Sequence, residues 1–141
     1  MKIYADSSFF VSVYLRDSHS PEVFRRIRTD PEIWFTPFHR LEFAHALAQN
    51  VYRGSLSAAD CDALHRSLER DCDAGVWNLT GIPQAAFDTG FALARKYVAR
   101  LGTRTLDTLH VACALELKAD RFWTFDLRQS KLARAAGLKT S

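Results

Sequence analysis

The sequence lacks the features that define several common classes of protein. It has no long apolar run, no linker rich in Pro, Gly or Ser, and no internal repeat. Hydrophobic residues make up 48% of the chain and charged residues 25%, which is typical of a globular domain. We therefore expect no membrane association and no long disordered region. A chain of 141 residues can bury one core, so we expect a single domain over residues 1–141.

Cysteine is scarce, and its spacing excludes two kinds of site. Cys61, Cys72 and Cys113 are odd in number and form no C-x-x-C pair. This pattern is typical of neither a zinc knuckle nor a redox motif. We interpret the cysteines as reduced thiols.

Signature motifs of several enzyme classes are also missing. The chain contains no G-x-S-x-G, no P-loop and no dinucleotide-binding fingerprint. Asp6 interrupts the first apolar stretch and Arg16 follows soon after, so the start of the chain does not resemble a signal peptide. We expect a cytoplasmic protein.

Short apolar runs alternate with helical patterns along the chain, which predicts an α/β fold. Each connection between the runs is long enough to hold a helix, so the pattern favours a parallel sheet covered on both faces. The predicted strands are four residues that end at Asp6, then Ile33–Thr36, Val76–Leu79 and Arg121–Thr124, with a short fifth strand at Leu138–Thr140.

Helix boundaries follow from capping residues and prolines. Ser20 followed by Pro21, and Thr36 followed by Pro37, each predict an N-cap and the start of a helix. A later helix, beginning near Ser57 and ending before Gly75, completes a helical hairpin with the helix after Thr36. The helix after Pro83 is expected to bury Phe87, Phe91, Leu93, Ala94, Tyr97 and Val98.

Four acidic residues stand at the boundaries of the predicted elements. Asp6 ends the first strand, and Asp126 follows the fourth strand by two residues. Glu42 lies in the helix after the second strand, and Asp107 lies in the first turn of a late helix. Ligands of open α/β sheets bind at the carboxyl ends of the strands, which favours a shared acidic pocket. The alternative is that these acids cap helices.

A shared acidic pocket would require a cation, because like charges raise one another's pKa and destabilise the fold. Oxygen ligands without His or Cys at ligand spacing favour Mg²⁺ or Mn²⁺. Such a site supports hydrolysis of phosphodiester bonds, since the cation activates water and offsets charge on the phosphate. Ser7, Ser8 and Thr124 are placed to orient the carboxylates. His110, three residues after Asp107, is interpreted as a core residue.

The formal net charge is +3, which mildly favours a polyanionic partner. Arg104 and Arg128 neighbour the acids in sequence and are candidates to contact a phosphate, with exposed salt bridges as the alternative. A basic rim around an acidic centre would suit a metal-dependent enzyme that acts on nucleic acid; solvated helix faces are the other interpretation.

Three segments resemble the PIN-domain ribonucleases, and most closely the VapC toxins of type II toxin–antitoxin pairs. The segments have the sequences IYADSSFF from Ile3, RTLDTLHVACA from Arg104 and FWTFDLRQ from Phe122, and together the resemblance covers essentially the whole chain. It identifies the metal-binding acids of the family with Asp6, Glu42, Asp107 and Asp126.

The resemblance implies a three-layer α/β/α domain with a parallel sheet of order 3-2-1-4-5 and an inserted helical hairpin. It also implies a Mg²⁺- or Mn²⁺-dependent endoribonuclease that forms a homodimer and is inhibited by a VapB-like antitoxin. Asp6, Asp107 and Asp126 are expected to ligate the cation, while Glu42 completes the pocket or holds the attacking water. Two alternatives stay open: a PIN nuclease that processes RNA without an antitoxin, and a catalytically idle module that binds RNA or protein.

Overall fold

A parallel β-sheet flanked by helices forms the fold, which confirms the predicted α/β class. The computed structural model describes residues 1–140. The four strands belong to one sheet with the order β3-β2-β1-β4, which agrees with the order predicted for the first four strands. They are β1 Lys2–Ala5, β2 Glu32–Phe35, β3 Asn78–Leu79 and β4 Arg121–Trp123.

Helices make up most of the remaining chain. The helix over Ala85–Leu93 continues through one π-helical stretch, Ala94–Val98, into a short last turn that ends at Gly102 in the left-handed conformation (φ 70°). The helices are α1 Ser7–Tyr14, α2 Ser20–Ile27, α3 Pro37–Tyr52, α4 Ala58–Asp73, α5 Ala85–Leu93, α6 Ala99–Leu101, α7 Thr105–Glu116 and α8 Leu127–Ala135. Among residues 1–140, no helix is long and apolar enough to span a bilayer.

The chain forms two compact units. Among the described residues, the first contains residues 1–6 and 81–140, and the second contains Ser7–Thr80. The expected single domain over the whole chain stays a prediction.

In the first unit, β1 pairs in parallel with β4, so both strands end at the same edge. Tyr4 is fully buried opposite Phe122, and their rings stack with centroids 5.9 Å apart. The Tyr4 hydroxyl lies 2.9 Å from His110 Nδ1, which confirms His110 as a buried, hydrogen-bonded core residue. This packing fixes α7 against β1 and β4.

The second unit is held by an aromatic cluster around α1. The Phe10 ring meets the rings of Phe35 and Trp77 edge to face, with centroid distances of 4.9 Å and 5.2 Å. The predicted cap at Thr36 is confirmed, since its side chain accepts from the backbone N–H of His39 and Pro37 begins α3. The helices α3 and α4 form the predicted hairpin, bridged at the surface by Arg40 and Glu69.

The predicted buried face of α5 is partly wrong. Phe87 and Phe91 are 58% and 66% exposed and Ala94 is exposed, whereas Ala86 and the predicted Leu93 are buried. The helix packs against α7, where a Cβ at Gly90 would be 3.6 Å from the Ala112 Cβ, an ordinary contact distance. Periodicity alone assigns the large aromatic residues to the core, whereas the buried face of α5 is formed by Ala86 and Leu93.

Other boundaries differ from the sequence-based expectation. Ser20 is the first residue of α2 rather than its cap, and its buried hydroxyl donates to the carbonyl oxygen of Ser12 at 2.7 Å. The third strand is shortened to two residues. Within the described residues, the expected fifth strand is one parallel bridge between Phe122 and Thr140, where the Phe122 N–H donates to the Lys139 carbonyl oxygen at 2.8 Å.

Candidate metal and nucleic-acid site

Asp6 and Thr124 lie side by side at the carboxyl edge of the β1–β4 pair. The Asp6 N–H donates to the Trp123 carbonyl at 3.0 Å, which extends the pairing one residue beyond the strands. The Thr124 hydroxyl donates to Asp6 Oδ2 at 2.8 Å, and the two residues are each only 8% exposed. The predicted role of Thr124 in orienting a metal-binding carboxylate stays a prediction.

Asp126 caps helix α8, as the helix-cap alternative predicted. Its Oδ1 accepts from the backbone N–H of Gln129 at 2.8 Å, and its own N–H donates to the Thr124 hydroxyl at 3.0 Å. A cap of this kind uses one carboxylate oxygen and leaves the second available to a ligand. The structure therefore shows the capping role without excluding metal binding.

Asp107 and Asp126 line one recess of about 110 Å³. Asp107 belongs to the first turn of α7, where the partial positive charge of the helix favours a carboxylate. Its Oδ2 accepts from Arg104 Nε at 3.2 Å, and the Arg104 side chain is 80% exposed. The other residues that line the recess are Gly102, Thr103 and Arg128.

Thr103 contributes an unsatisfied hydroxyl to this region. The residue is 5% exposed, and its buried Oγ1 has no hydrogen-bond partner among residues 1–140. A buried polar group without a partner is costly, and this residue forms part of the wall of the recess. The predicted motifs begin one residue later and did not include Thr103.

Gln129 is a second residue that the sequence analysis missed. It is fully buried, and its amide group lies between Thr124 and the main chain of Asp107. Asp126-x-x-Gln129 resembles a capping box, which was the available sequence signal.

Glu42 lies on α3 in the second unit. Its Oε1 accepts from the Ser7 hydroxyl at 2.7 Å. Ser8 is exposed at the surface of α1. The role of Glu42 in the acidic site stays a prediction.

The donor groups fit a hard divalent cation better than zinc. Within the described residues 1–140, no three Asp, Glu, His or Cys side chains are arranged as a ready-made metal site. The residues that line the recess offer the carboxylate oxygens of Asp107 and Asp126 and include no His or Cys. Mg²⁺ usually keeps several water ligands and binds proteins through one or two carboxylates. The carboxylates of Asp107 and Asp126 are therefore suitable ligands for Mg²⁺. Joint ligation by Asp6, Asp107 and Asp126 stays a prediction.

The cysteines take no part in this chemistry. Cys61, Cys72 and Cys113 are free thiols, as predicted. Burial raises the pKa of the Cys113 thiol, which disfavours the reactive thiolate.

The fold and the recess together define an α/β protein with acidic side chains at the carboxyl edge of a parallel sheet. The sequence model of the PIN domain family matches residues 3–135. The chain belongs to the PIN domain family, which confirms the resemblance seen in the sequence. A search of curated proteins gives no match.

Three solved structures of similar fold illustrate the relationship. The VapBC2 structure from Rickettsia felis, bound to a DNA fragment from its promoter, has a TM-score of 0.70 at 11% identity and covers 100% of this chain and 98% of that chain. Mycobacterium tuberculosis VapC20, a toxin that cleaves the sarcin–ricin loop, has a TM-score of 0.70 at 14% identity and covers 96% and 95%. FitAcB from Neisseria gonorrhoeae has a TM-score of 0.72 at 15% identity and covers 98% and 95%. At these identities the likeness establishes the fold.

Proposed function

We propose that this protein is a metal-dependent endoribonuclease that acts as the toxin of a toxin–antitoxin pair. The observation that carries the proposal is the PIN-family match over residues 3–135, combined with two carboxylates in one recess flanked by arginines. A surface that only binds phosphates gains nothing from carboxylates, which repel them. The acidic recess therefore favours a hydrolase over an idle binding module.

Asp107 and Asp126 would hold a Mg²⁺ or Mn²⁺ ion, with Asp6 as the third acid. When bound, such a cation supplies an activated water at neutral pH and charge that offsets the developing negative charge on the phosphate. The chain's own contribution is to fix the carboxylates: Thr124 orients Asp6, and the helix cap holds Asp126. Glu42, oriented by Ser7, is proposed to complete the pocket.

Arg104 and Arg128 would contact the RNA backbone at the rim of the recess. Both line it beside the acids, and both side chains belong to exposed residues that can reach a phosphate. Arg104 pairs with Asp107, and at this exposure the pair is weak. Phosphate binding by Arg104 therefore competes with a contact that costs little to break.

The proposed partners are an RNA substrate, an antitoxin of VapB type and a second copy of this chain. Support for the antitoxin comes from the VapBC2 complex, and support for RNA cleavage comes from the sarcin–ricin loop activity of VapC20. Neither property is carried by fold similarity alone, so both need a direct test.

The test is cleavage of total RNA by the purified chain with EDTA, and then with Mg²⁺ or Mn²⁺ restored. We expect no cleavage in EDTA and internal cleavage with the cation. The matched variants are Asp107→Asn, which should lose activity, and the exposed Asp62→Asn, which should keep it. RNA binding without cleavage under all conditions would instead indicate the binding module.

A second arm separates a toxin from a processing nuclease. Induced expression of the wild-type chain should arrest growth, and co-expression of a short open reading frame adjacent to its gene should restore it. Cleavage without growth arrest, or arrest that no neighbouring gene relieves, would favour an RNA-processing enzyme that has no antitoxin.

A further inference from the structure

The only fully buried Gln side chain in the described chain lies beside the acidic site. Gln129 is fully buried in the first turn of α8, together with Leu132 and Ala133 of the same helix. A buried amide is costly unless its donor and acceptor groups are satisfied, and an apolar residue would fill the same position without that cost. The hydrogen bonds of this side chain therefore indicate what it does there.

Gln129 connects the elements that carry the acids. Its backbone N–H donates to Asp126 Oδ1 at 2.8 Å, and its Nε2 donates to the carbonyl oxygen of Asp107 at 3.3 Å. Its Oε1 accepts from the Thr124 hydroxyl at 2.6 Å. The opposite orientation of the amide would place Oε1 against the Asp107 carbonyl oxygen, where two acceptors repel, so the contacts select one orientation.

Thr124 links this amide to the third acid. Its hydroxyl has one proton and two acceptors within reach, Asp6 Oδ2 at 2.8 Å and Gln129 Oε1 at 2.6 Å, while its oxygen accepts the Asp126 N–H. The proton can satisfy only one acceptor fully. If a cation binds the Asp6 carboxylate, the Thr124 hydroxyl can still donate to Gln129 Oε1. The Thr124 side chain therefore stays in the same position.

We propose that Gln129 is a positioning residue for the acidic site. Its buried amide fixes the Asp107 main chain relative to Thr124, and through the Thr124 hydroxyl, which contacts both Asp6 and the Asp126 N–H, it helps to hold the acids in place for a divalent cation. Groups that orient metal ligands in this way change metal affinity by about 10–100-fold when they are removed. The inference rests on the proposed metal-dependent function.

The test compares Gln129→Met, which keeps the size of the side chain and removes the amide, with Gln49→Met at an exposed helical position. Mn²⁺ affinity is measured by calorimetry, RNA cleavage as kcat and KM, and folding by thermal unfolding without metal. We expect Gln129→Met to be folded, to bind Mn²⁺ about 10–100-fold more weakly and to lose kcat with little change in KM for RNA. Gln49→Met should match the wild type.

A double-mutant cycle with Thr124→Val tests the connection directly. If Gln129 acts through Thr124, the double variant should bind Mn²⁺ about as weakly as Thr124→Val alone, so the two effects are not additive. Thr124→Ser, which keeps the hydroxyl, should lose less Mn²⁺ affinity than Thr124→Val. If Gln129→Met does not fold, Gln129→Asn replaces it, since its shorter amide cannot span both partners.

The inference would be overturned by a folded Gln129 variant whose Mn²⁺ affinity and kcat are within about twofold of those of the wild type. In that case, the proposed function would still hold as long as the wild-type protein cleaves RNA. Fully additive effects in the cycle would also overturn it. Wild-type protein that neither binds Mn²⁺ nor cleaves RNA would overturn the proposed function, and the inference with it.

Discussion

The Thr124 hydroxyl lies 2.8 Å from Asp6 Oδ2, although the two residues are 118 positions apart in the chain. Parallel pairing of β1 with β4 brings them together, because both residues come directly after a strand at the same edge. This contact ties the acid of the first motif to the loop that carries Asp126.

Asp6→Asn should separate a metal ligand from a structural residue. Asn can still accept a hydrogen bond from Thr124 but carries no charge to bind the cation. Cleavage should therefore fall by more than about 100-fold, which exceeds the loss expected when only a residue that hydrogen-bonds to a metal ligand is removed. The melting temperature without metal should stay equal or rise, since a source of charge repulsion is removed. Differential scanning calorimetry and the RNA cleavage assay measure the two effects, with Asp62→Asn as control. A markedly lower melting temperature would identify Asp6 as structural.

Asp126 should show two separable roles. Asp126→Asn keeps a good N-cap and should leave the free energy of unfolding nearly unchanged, while Mn²⁺ affinity and cleavage fall. Asp126→Ala loses the cap as well and should cost about 1 kcal/mol of stability. Urea unfolding and calorimetric Mn²⁺ binding distinguish them. If the Asn variant retains full Mn²⁺ affinity, Asp126 is only a cap.

Arg104→Gln and Arg128→Gln should weaken RNA binding without sequence preference. Each loss of a phosphate contact should reduce the slope of log affinity against log salt concentration by about 1. Fluorescence anisotropy across a salt series measures this slope, with EDTA and the Asp6→Asn background used to prevent cleavage of the RNA. Arg66→Gln at an exposed position of α4 is the control. Slopes equal to that of the control would remove these arginines from the RNA contact.

Tyr14→Phe should alter stability at alkaline pH. Burial, reinforced by donation of the hydroxyl to Asp71 at 2.5 Å, raises the pKa of Tyr14 well above its ordinary value. Because the folded-state pKa is the higher one, the stabilisation is complete below about pH 10 and is lost as the pH rises above that value. The wild-type melting temperature should therefore fall more steeply between about pH 9 and 11 than that of Tyr14→Phe.

At neutral pH, Tyr14→Phe should cost about 1–3 kcal/mol, because Asp71 and the indole N–H of Trp77 lose their partner. The control is Tyr52→Phe, since Tyr52 is 93% exposed. Parallel pH profiles for the Tyr14 variant and the wild type would refute the assignment.

Local sequence determined the elements of this protein and the chemistry of its candidate site. Proline and capping residues set the start of α3 at Pro37, the short apolar runs set β1 and β4, and the order of these elements was enough for the α/β class. Asp107 and Asp126 were identified from their positions at element boundaries, and the structure places both in one recess. These features depend on residues close together in the chain, so the sequence displays them directly.

Only the tertiary structure decided which surfaces are buried and which side chains hold the acids. Phe87 and Phe91 are exposed while Ala86 and Leu93 of the same helix are buried, because the face of α5 that packs depends on α7 as well as on the pattern of α5. Gln129 and Thr103 could be identified only from contacts between distant parts of the chain. The buried Gln129 amide lies between Asp107 and Thr124, and the buried Thr103 hydroxyl has no hydrogen-bond partner among residues 1–140. Burial and hydrogen bonding between distant residues arise when the chain packs, and no local pattern records them.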